Sequence, residues 1–342
     1  MSRALVFILS FGLLIALPDE AARQDSAAIQ QLAPQKPDER AAALKPGALS
    51  PYLIELFIDI NEDADLREVW RLLKVEPPPE TPIKCRGCTA ENFELETADE
   101  ARRKTVALKI SFEAGYYYQY LIFRQNDPDR NKDDWKFLGG VESPLQQYGP
   151  PKHRIESGDG RTWFVVRELW GRGSGMIAYG DVWYEIKEGK VERAVAYPVE
   201  GHNIPCQSDL GRSYKTILLR HELENGVYTI PVQFIVSYNI SHCDKGNDSP
   251  PLFAKSQKAY FVWDSAKAKF ILDVSRSDVT EAEIETVYNN EGLSYEKFVE
   301  YNFDDLLKIA GGADLKKKEW LKQFLTGLKE SRLKTALQQA LP

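Results

Sequence analysis

Hydrophobic and polar residues alternate with a period of two over most of the stretch from residue 93 to residue 275. In residues 105–112, for example, every second residue is large and apolar. Such alternation predicts half-buried β-strands, in which successive side chains point to opposite faces of a sheet. The pattern predicts strands at 105–112, 116–123, 161–170, 177–187, 190–200, 214–223, 227–239, 258–264 and 269–274.

The connections between the later strands are short, and they include Gly189, Asn225-Gly226 and residues 264–268. A parallel crossover needs a dozen or more residues, so short connections favour antiparallel hairpins. The predicted fold class is therefore α+β, with an antiparallel β-sandwich or a partly open barrel built from meander hairpins. Periodicity alone does not decide between these two forms.

Helical signals flank the strand-rich region on both sides. Ser50 and Pro51 form a helix-start signal, and Asp63 or Asp65 can cap a second helix. After residue 276 the apolar spacing returns to that of helices, beginning with a Thr280-x-x-Glu283 capping box. The predicted organisation is a signal peptide at 1–22, a flexible tether at 23–49, a short helical element with a cysteine-containing loop at 50–92, an antiparallel β domain at 93–275 and a C-terminal helical bundle at 276–342.

The amino terminus predicts export. Arg3 precedes an uncharged run at residues 4–17, which is too short to span a bilayer as a stable helix. The small-residue cleavage rule is met imperfectly near Ala21 and Ala22, so an uncleaved anchor is the alternative. The predicted location is extracytoplasmic, either periplasmic or secreted.

Composition and charge narrow the classes of partner. A hydrophobic content of 43% with 11% aromatic residues indicates a packed core and not a disordered chain. The net charge of −7 argues against nucleic acid as the main partner. No second apolar run is long enough to span a bilayer, so no transmembrane helix is expected after signal removal.

The four cysteines predict two disulfides, because export places them in an oxidising compartment. If Asn225-Gly226 is a two-residue hairpin turn, Cys206 and Cys243 come within two residues of facing each other at the open end of that hairpin. Cys85 and Cys88 are then left to pair locally.

Two alternatives compete with these disulfides. His202, Cys206, His242 and Cys243 form a set suited to zinc, although His242 and Cys243 would point to opposite faces of a strand. The Cys85-x-x-Cys88 spacing is that of a redox motif, but a Pro-rich loop precedes it and a βαβ pattern is lacking. Structural disulfides are the preferred interpretation, and no cofactor is predicted.

An acidic loop resembles the start of a calcium-binding loop. Asp127, Asp129, Asn131 and Asp133 have the required oxygen spacing. The loop lacks the glycine of position six and the bidentate glutamate of position twelve. Calcium binding is therefore expected to be weak at best, and a solvated acidic loop is the alternative.

Two further stretches are candidate ligand-binding surfaces. Tyr116, Tyr117 and Tyr118 span both faces of a strand, so at least one of these rings must leave the core. Exposed aromatic rows on a sheet can hold sugars or peptides. Arg172 and Ser174 lie in a glycine-rich hairpin loop, and loops on a rigid scaffold commonly line binding sites. Ordinary core packing and an ordinary turn are the competing interpretations.

These features favour an exported, non-catalytic protein that binds an unknown ligand or is associated with the cell envelope. Peptides, glycans and envelope components are the candidate partners. The alternative is a hydrolase that acts on an envelope or extracellular polymer through paired carboxylates. A cleft with two facing carboxylates, one of raised pKa, would favour the enzyme, and a surface without them would favour binding.

Replacing both Cys206 and Cys243 with Ser is expected to lower the melting temperature more than replacing both Cys85 and Cys88. Closing a 38-residue loop stabilises by about 4 kcal/mol, and closing the short loop by about 2 kcal/mol, because each crosslink restricts the unfolded chain. Calorimetry of the two double variants measures the difference. Peptide mapping that joins Cys85 or Cys88 to Cys206 or Cys243 would contradict the pairing.

Overall fold

Antiparallel strands form most of the protein between Thr89 and Leu272. The computed structural model describes residues 49–60, 63–75, 84–95, 103–112, 117–126, 134–144, 152–158, 160–173, 175–187, 190–204, 210–224, 226–240, 251–288 and 293–341. Within them the strands are β1 (Asp63–Asp65), β2 (Lys84–Arg86), β3 (Thr89–Leu95), β4 (Thr105–Ser111), β5 (Tyr117–Gln125), β6 (Trp135–Pro144), β7 (His153–Gly158), β8 (Arg161–Gly173), β9 (Met176–Lys187), β10 (Lys190–Asn203), β11 (Leu210–Leu218), β12 (Glu222–Glu224), β13 (Val227–Ile240), β14 (Pro251–Asp264) and β15 (Lys269–Leu272).

The strands form two main sheets. The larger sheet has the order β15-β14-β13-β11-β10-β9-β8-β7, and the short strand β12 pairs with β13. The smaller sheet has the order β3-β4-β5-β6, and β1 pairs separately with β2. The described strands do not close into a barrel, so the architecture is a partly open sandwich. The predicted antiparallel fold class with C-terminal helices is confirmed.

The larger sheet folds over an aromatic core. The Trp163 ring of β8 stacks on Tyr228 of β13 with centroids 4.7 Å apart, and it meets Trp263 of β14 at 5.9 Å. Tyr197 of β10 stacks on Phe261 of β14 at 5.7 Å. These contacts join strands that are not neighbours in the sheet order, so the sheet must bend between β10 and β13. Burial of such large rings is a dominant stabilising contribution in a core.

The bend lies where β10 leaves β11. These two strands pair only between Glu200–Asn203 and Arg212–Lys215. Next to this ladder the Thr216 hydroxyl donates to the carbonyl of Pro198 at 2.7 Å. Two β-bulges interrupt the pairing of β10 with β9, and bulges increase local twist. The remainder of β10 consequently turns toward β14 and contributes to the core.

The smaller sheet covers the opposite face of β8 and β9. Phe164 and Val166 alternate along β8 with the core residue Trp163, so they point away from the first core. They pack instead against buried residues of the smaller sheet, including Tyr120 and Leu138. Apolar burial on this face of β8 therefore holds the two sheets together, and the other face of β8 belongs to the core of the larger sheet.

The helices begin at polar caps. They are α1 (Pro51–Asp59), α2 (Leu66–Leu73), α3 (Glu281–Glu283) with a π-helical continuation (Ile284–Tyr288), α4 (Tyr295–Tyr301), α5 (Phe303–Gly311), α6 (Leu315–Thr326) and α7 (Arg332–Ala340). Ser50 accepts from the amide of Leu53, and Thr280 accepts from the amide of Glu283, as the sequence predicts. Of the two candidate caps for α2, Asp65 is the one used. Within the described part of the chain, no helix is long and apolar enough to cross a membrane.

The C-terminal helices pack on one face of β13. Tyr288 stacks on Phe234 with ring centroids 4.7 Å apart, and Phe298 meets Tyr238 at 4.9 Å. The Tyr288 hydroxyl donates to Oε1 of Gln257 at 2.9 Å. This hydrogen bond is buried, so it fixes the position of the π-helical segment on the sheet.

Strands β6 and β7 are not among the predicted strands. Gly139 and Gly140 interrupt the alternation in β6. At Gly139 an added Cβ would lie only 3.2 Å from Cβ of Val191, so the glycine permits a close crossing of β6 over β10. Packing between sheets therefore determines this strand, and local periodicity does not reveal it.

Tyr288→Phe is expected to lower the free energy of unfolding by about 1–3 kcal/mol, because Oε1 of Gln257 would stay buried without that donor. Urea denaturation measures the loss. Tyr260→Phe is the matched control, since Tyr260 lies on the same strand as Gln257 and its hydroxyl has no hydrogen bond in the described residues. Equal losses in both variants would show that the buried hydrogen bond is not responsible.

Candidate functional site

An open groove of about 400 Å³ lies on the larger sheet. Ile235 and Ser237, which line it, alternate along β13 with Phe234 and Tyr238. Because Phe234 and Tyr238 pack on the C-terminal helices, the groove lies on the opposite face of β13. We call it the outer groove.

The outer groove is built from two cross-strand rows that run over β9, β10, β11 and β13. Strand register places the members of each row directly beside one another. The first row is Ile177, His202, Ser213 and Ser237. The second row is Tyr179, Glu200, Lys215 and Ile235. The groove therefore combines hydroxyl, imidazole, charged, aromatic and aliphatic groups.

Gly201 is needed for this arrangement. A Cβ at position 201 would lie 2.6 Å from both the carbonyl oxygen of Ile177 and the Tyr214 hydroxyl. Any side chain would therefore displace β9 or the Tyr214 ring. The glycine lets β10 carry both groove rows without this clash.

The charges of the outer groove are unevenly paired. Glu200 lies 3.9 Å from a guanidinium nitrogen of Arg167. Lys215 faces Glu200 in the strand register, yet within the described part of the chain it forms no ion pair. Lys215 and His202 are both exposed. The groove consequently presents a cation whose charge the described residues do not compensate.

A buried ionic network adjoins the groove at Arg167. Asp181 is only 2% exposed, and it accepts from Arg167 Nε at 2.8 Å and from Arg154 Nη1 at 2.7 Å. Arg154 also donates to Glu156 at 2.8 Å. A buried carboxylate needs such partners to offset its desolvation, so the network holds β7, β8 and β9 in one arrangement.

His221 lies at the far end of this network. Its Nδ1 is 3.8 Å from Oε2 of Glu156, and it is hydrogen-bonded to the Tyr228 hydroxyl. Burial lowers the pKa of His221 more than the Glu156 charge raises it. The imidazole is therefore kept neutral near pH 7, where it is a hydrogen-bonding group and not a fixed charge.

Glu168 is a second chemical candidate, separate from the outer groove. Burial raises the pKa of the Glu168 carboxyl to about 7, although hydrogen bonds with Tyr184 and Trp170 and the charge of Arg193 act in the opposite direction. The Tyr184 hydroxyl donates to Oε1 at 3.3 Å. A carboxyl with this pKa exchanges a proton near neutrality, as a general acid must.

The Trp170 ring beside Glu168 lies against Gly180. A Cβ added to Gly180 would overlap the six-membered part of the Trp170 indole. No contact joins Glu168 to another carboxylate in the described residues. The exposed Glu142 is linked only indirectly, because its charge contributes to the raised pKa of Tyr184.

A second groove, of about 330 Å³, separates β10 from β15 and the π-helical segment. Its floor includes Phe261, Phe270 and Ile284. The β-bulge beside Ala194 lies in the β10 segment that borders it. Bulges make a strand edge a poor template for an added strand. The second groove is therefore a poor site for an added peptide strand. We place the candidate ligand site in the outer groove, whose described lining includes hydroxyl and imidazole groups that the described lining of the second groove lacks.

The sequence-predicted aromatic residues do not line the outer groove in the described part of the chain. Tyr118 is 5% exposed, and Nζ of Lys109 lies 5.2 Å from its ring centroid. Tyr116 and the side chain of Tyr117 lie outside the described residues. A ligand-binding role of this tyrosine run stays a prediction.

The glycine-rich stretch differs from the predicted loop. Gly171, Arg172 and Gly173 belong to β8, so the hairpin turn is shorter than predicted, because the ladder with β9 continues to Gly173 and Met176. Arg172 is exposed and pairs with Ile177 of the first groove row. It therefore borders the outer groove. Ser174 lies outside the described residues.

The predicted calcium loop lies outside the described residues at Asp127, Asp129, Asn131 and Asp133. The described residues on either side of it are in contact, since Nδ2 of Asn126 donates to Oδ1 of Asp134 at 2.8 Å. No group of three or more metal-ligating side chains occurs among the residues that the structure describes.

The predicted cysteine pairs are only partly described. Cys88 is disulfide-bonded, whereas the side chain of Cys85, the whole of Cys206 and Cys243, and His242 of the zinc alternative lie outside the described residues. Leu210 pairs with Ile240 at the open end of the β11–β13 hairpin. These residues lie four and three positions from Cys206 and Cys243, so the predicted connectivity remains an expectation.

Comparison with known proteins adds little to this geometry. No protein-family model and no curated protein matches the chain. One solved structure that matches is a GDP-Man-dependent mannosyltransferase from Leishmania mexicana, at 7% identity and a TM-score of 0.21. The match covers 50% of this chain and 64% of that chain, so it spans slightly less than two thirds of the transferase structure.

Sequence reasoning missed the two groove rows and Glu168. The rows depend on the register of four strands, which local sequence does not determine. The signal available in the sequence was Gly201, a strand glycine between polar residues. Nothing local distinguishes Glu168 from other strand glutamates, because its raised pKa arises from tertiary burial.

As pH rises from 4.5 to 8, the melting temperature of Glu168→Gln is expected to rise relative to that of the wild type at the same pH. The folded state favours the protonated carboxyl, so the stability that Glu168 supplies is present below pH 4.5 and is lost as pH passes about 7. Gln retains the neutral shape at every pH. Thermal denaturation across this range measures the divergence.

Glu142→Gln is the control, because Glu142 is an exposed carboxylate of the neighbouring sheet. Its melting curve should follow the wild type across the same pH range. A constant offset between Glu168→Gln and the wild type would contradict a titration of Glu168 near neutrality.

Proposed function

We propose that this chain is an exported, non-catalytic protein that binds an oligosaccharide segment of an extracellular or envelope polymer in the outer groove. The supporting observation is the pair of cross-strand rows, which present polar groups beside an aromatic ring in one open groove. Sugar rings combine apolar faces with hydroxyl edges. A site for them needs both kinds of side chain.

The pairing of the strands favours a saccharide over an extended peptide. Peptides commonly add to a sheet through backbone hydrogen bonds at a free strand edge. At the groove, β9, β10, β11 and β13 each have a paired strand on both sides. Recognition in this groove must therefore use side chains.

The groove chemistry supports binding more than hydrolysis. A glycoside hydrolase usually acts through two carboxylates that flank the scissile bond. Among the described residues that line the groove, Glu200 is the one carboxylate, and Arg167 is near it. A single compensated carboxylate does not supply both an acid and a base.

The hydrolase alternative rests on Glu168. Its raised pKa suits a general acid. In the described residues no second carboxylate contacts it, and it does not line either groove. We therefore retain hydrolysis of an envelope or extracellular polymer as the second proposal.

The proposal of export depends on the amino-terminal sequence. Arg3 and the uncharged run at residues 4–17 support a signal peptide, and an extracytoplasmic location would bring the groove to envelope polymers.

Ser213→Trp is expected to block the outer groove. Ser213 lies in the middle of the first row, so an indole there would occupy the space of a ligand. Calorimetric titration with cellotetraose, chitotetraose and tetragalacturonate should detect binding of at least one of them to the wild type. The variant should bind it at least about tenfold more weakly, a loss of about 1.4 kcal/mol.

Ser157→Trp is the matched control, because Ser157 is an exposed strand serine of β7, outside the groove. Its affinity should equal that of the wild type, and circular dichroism should show that both variants are folded. If no probe binds, or if both variants weaken binding equally, the proposal is wrong.

A further inference from the structure

We infer that the outer groove selects a saccharide that carries carboxylate groups, with Lys215 as the residue that binds the carboxylate. This inference rests on the proposed function of the groove and specifies the chemical class of its ligand. It follows from the way in which the two opposite charges of the second row are partnered.

Glu200 and Lys215 face each other across β10 and β11, yet they do not form an ion pair. Glu200 is near Arg167 instead, at 3.9 Å. Arg167 is in turn anchored by Asp181, whose Oδ1 accepts from Arg167 Nε at 2.8 Å. The buried network thus holds the partner of Glu200 in place on the side away from Lys215.

Lys215 consequently carries a charge that no described carboxylate neutralises within ion-pair distance. It is exposed and lines the groove. The chain as a whole is acidic, with a net charge of −7. The electrostatic potential at the groove, and not the net charge of the protein, determines which ligand charge is preferred there. The unneutralised Lys215 therefore favours a negatively charged ligand.

The neighbours of Lys215 favour a carboxylate on a sugar over a small free anion. Ser213 and Ser237 of the adjacent row offer hydroxyl groups to sugar hydroxyls. Tyr179 and Ile235 of its own row offer apolar surface to a sugar ring. A free inorganic anion would use the lysine but none of this apolar surface.

The matched pair of probes is tetragalacturonate and its fully methyl-esterified form, which share one backbone and differ in charge. By calorimetric titration the wild type should bind the acid about tenfold more tightly than the ester, which is the strength of one charge-assisted hydrogen bond. Raising the salt concentration should reduce this preference, because exposed charges are screened.

Lys215→Gln should remove the preference for the acid, so that the acid and the ester bind with equal affinity. Lys322→Gln is the control, because it makes the same change of net charge at an exposed lysine of α6. It should keep the preference of the wild type. Inorganic phosphate at equal ionic strength should compete no better than chloride, whereas effective competition would assign the lysine to free anions.

The outcomes separate this inference from the proposed function. If acid and ester bind equally, or if Lys215→Gln keeps the preference, the carboxylate inference is wrong and the groove remains a saccharide site. If neither probe binds, the carboxylate inference is overturned. If binding is insensitive to Ser213→Trp, the groove itself is not the site and both conclusions are overturned.

Discussion

The packing of Trp163 against Tyr228 and Trp263 is the contact on which the rest of the structure depends. It forces the larger sheet to fold over, because these rings belong to strands far apart in the sheet order. The sheet bends where β10 separates from β11, at the end of their short ladder. Once the sheet has folded, the helices cover one face of β13 and the face with the outer groove stays open.

The burial of Asp181 determines how the charges at the margin of the groove are paired. Asp181 of β9 is only 2% exposed. Its buried carboxylate is therefore paired with two arginines, Arg154 and Arg167. Arg167 thereby lies near Glu200 at the margin of the groove. The need to pair the buried Asp181 carboxylate thus places Arg167 near Glu200. Lys215 is left facing solvent.

Much of the local structure could be predicted from the sequence, because local chemistry determines it. Ser50, Asp65 and Thr280 cap helices through contacts a few residues away. The long strands could be predicted because hydrophobic and polar residues alternate along them. Strand β6 could not be predicted in this way, since Gly139 is explained by its crossing of β10 and not by its neighbours in the chain.

The groove required a register that the turn signal does not supply. Glu224 does face Val227 beside Asn225-Gly226, as that signal implies. Between β12 and β11 the pairing with β13 shifts by one residue, so Ser213 faces Ser237 and not Tyr238. A one-residue shift moves every side chain to the other face. The register that the turn signal predicts would have paired Ser213 with the buried Tyr238. The groove rows could therefore not have been derived from it.

The most direct test of the groove as the ligand site is amide chemical-shift mapping during titration with tetragalacturonate. Shifts concentrated on the two rows, at Ser213, Lys215 and Ser237 above all, would agree with a ligand held across β9 to β13. Shifts concentrated at the second groove, around Phe270 and Ile284, would contradict it, as would shifts around Glu168 alone.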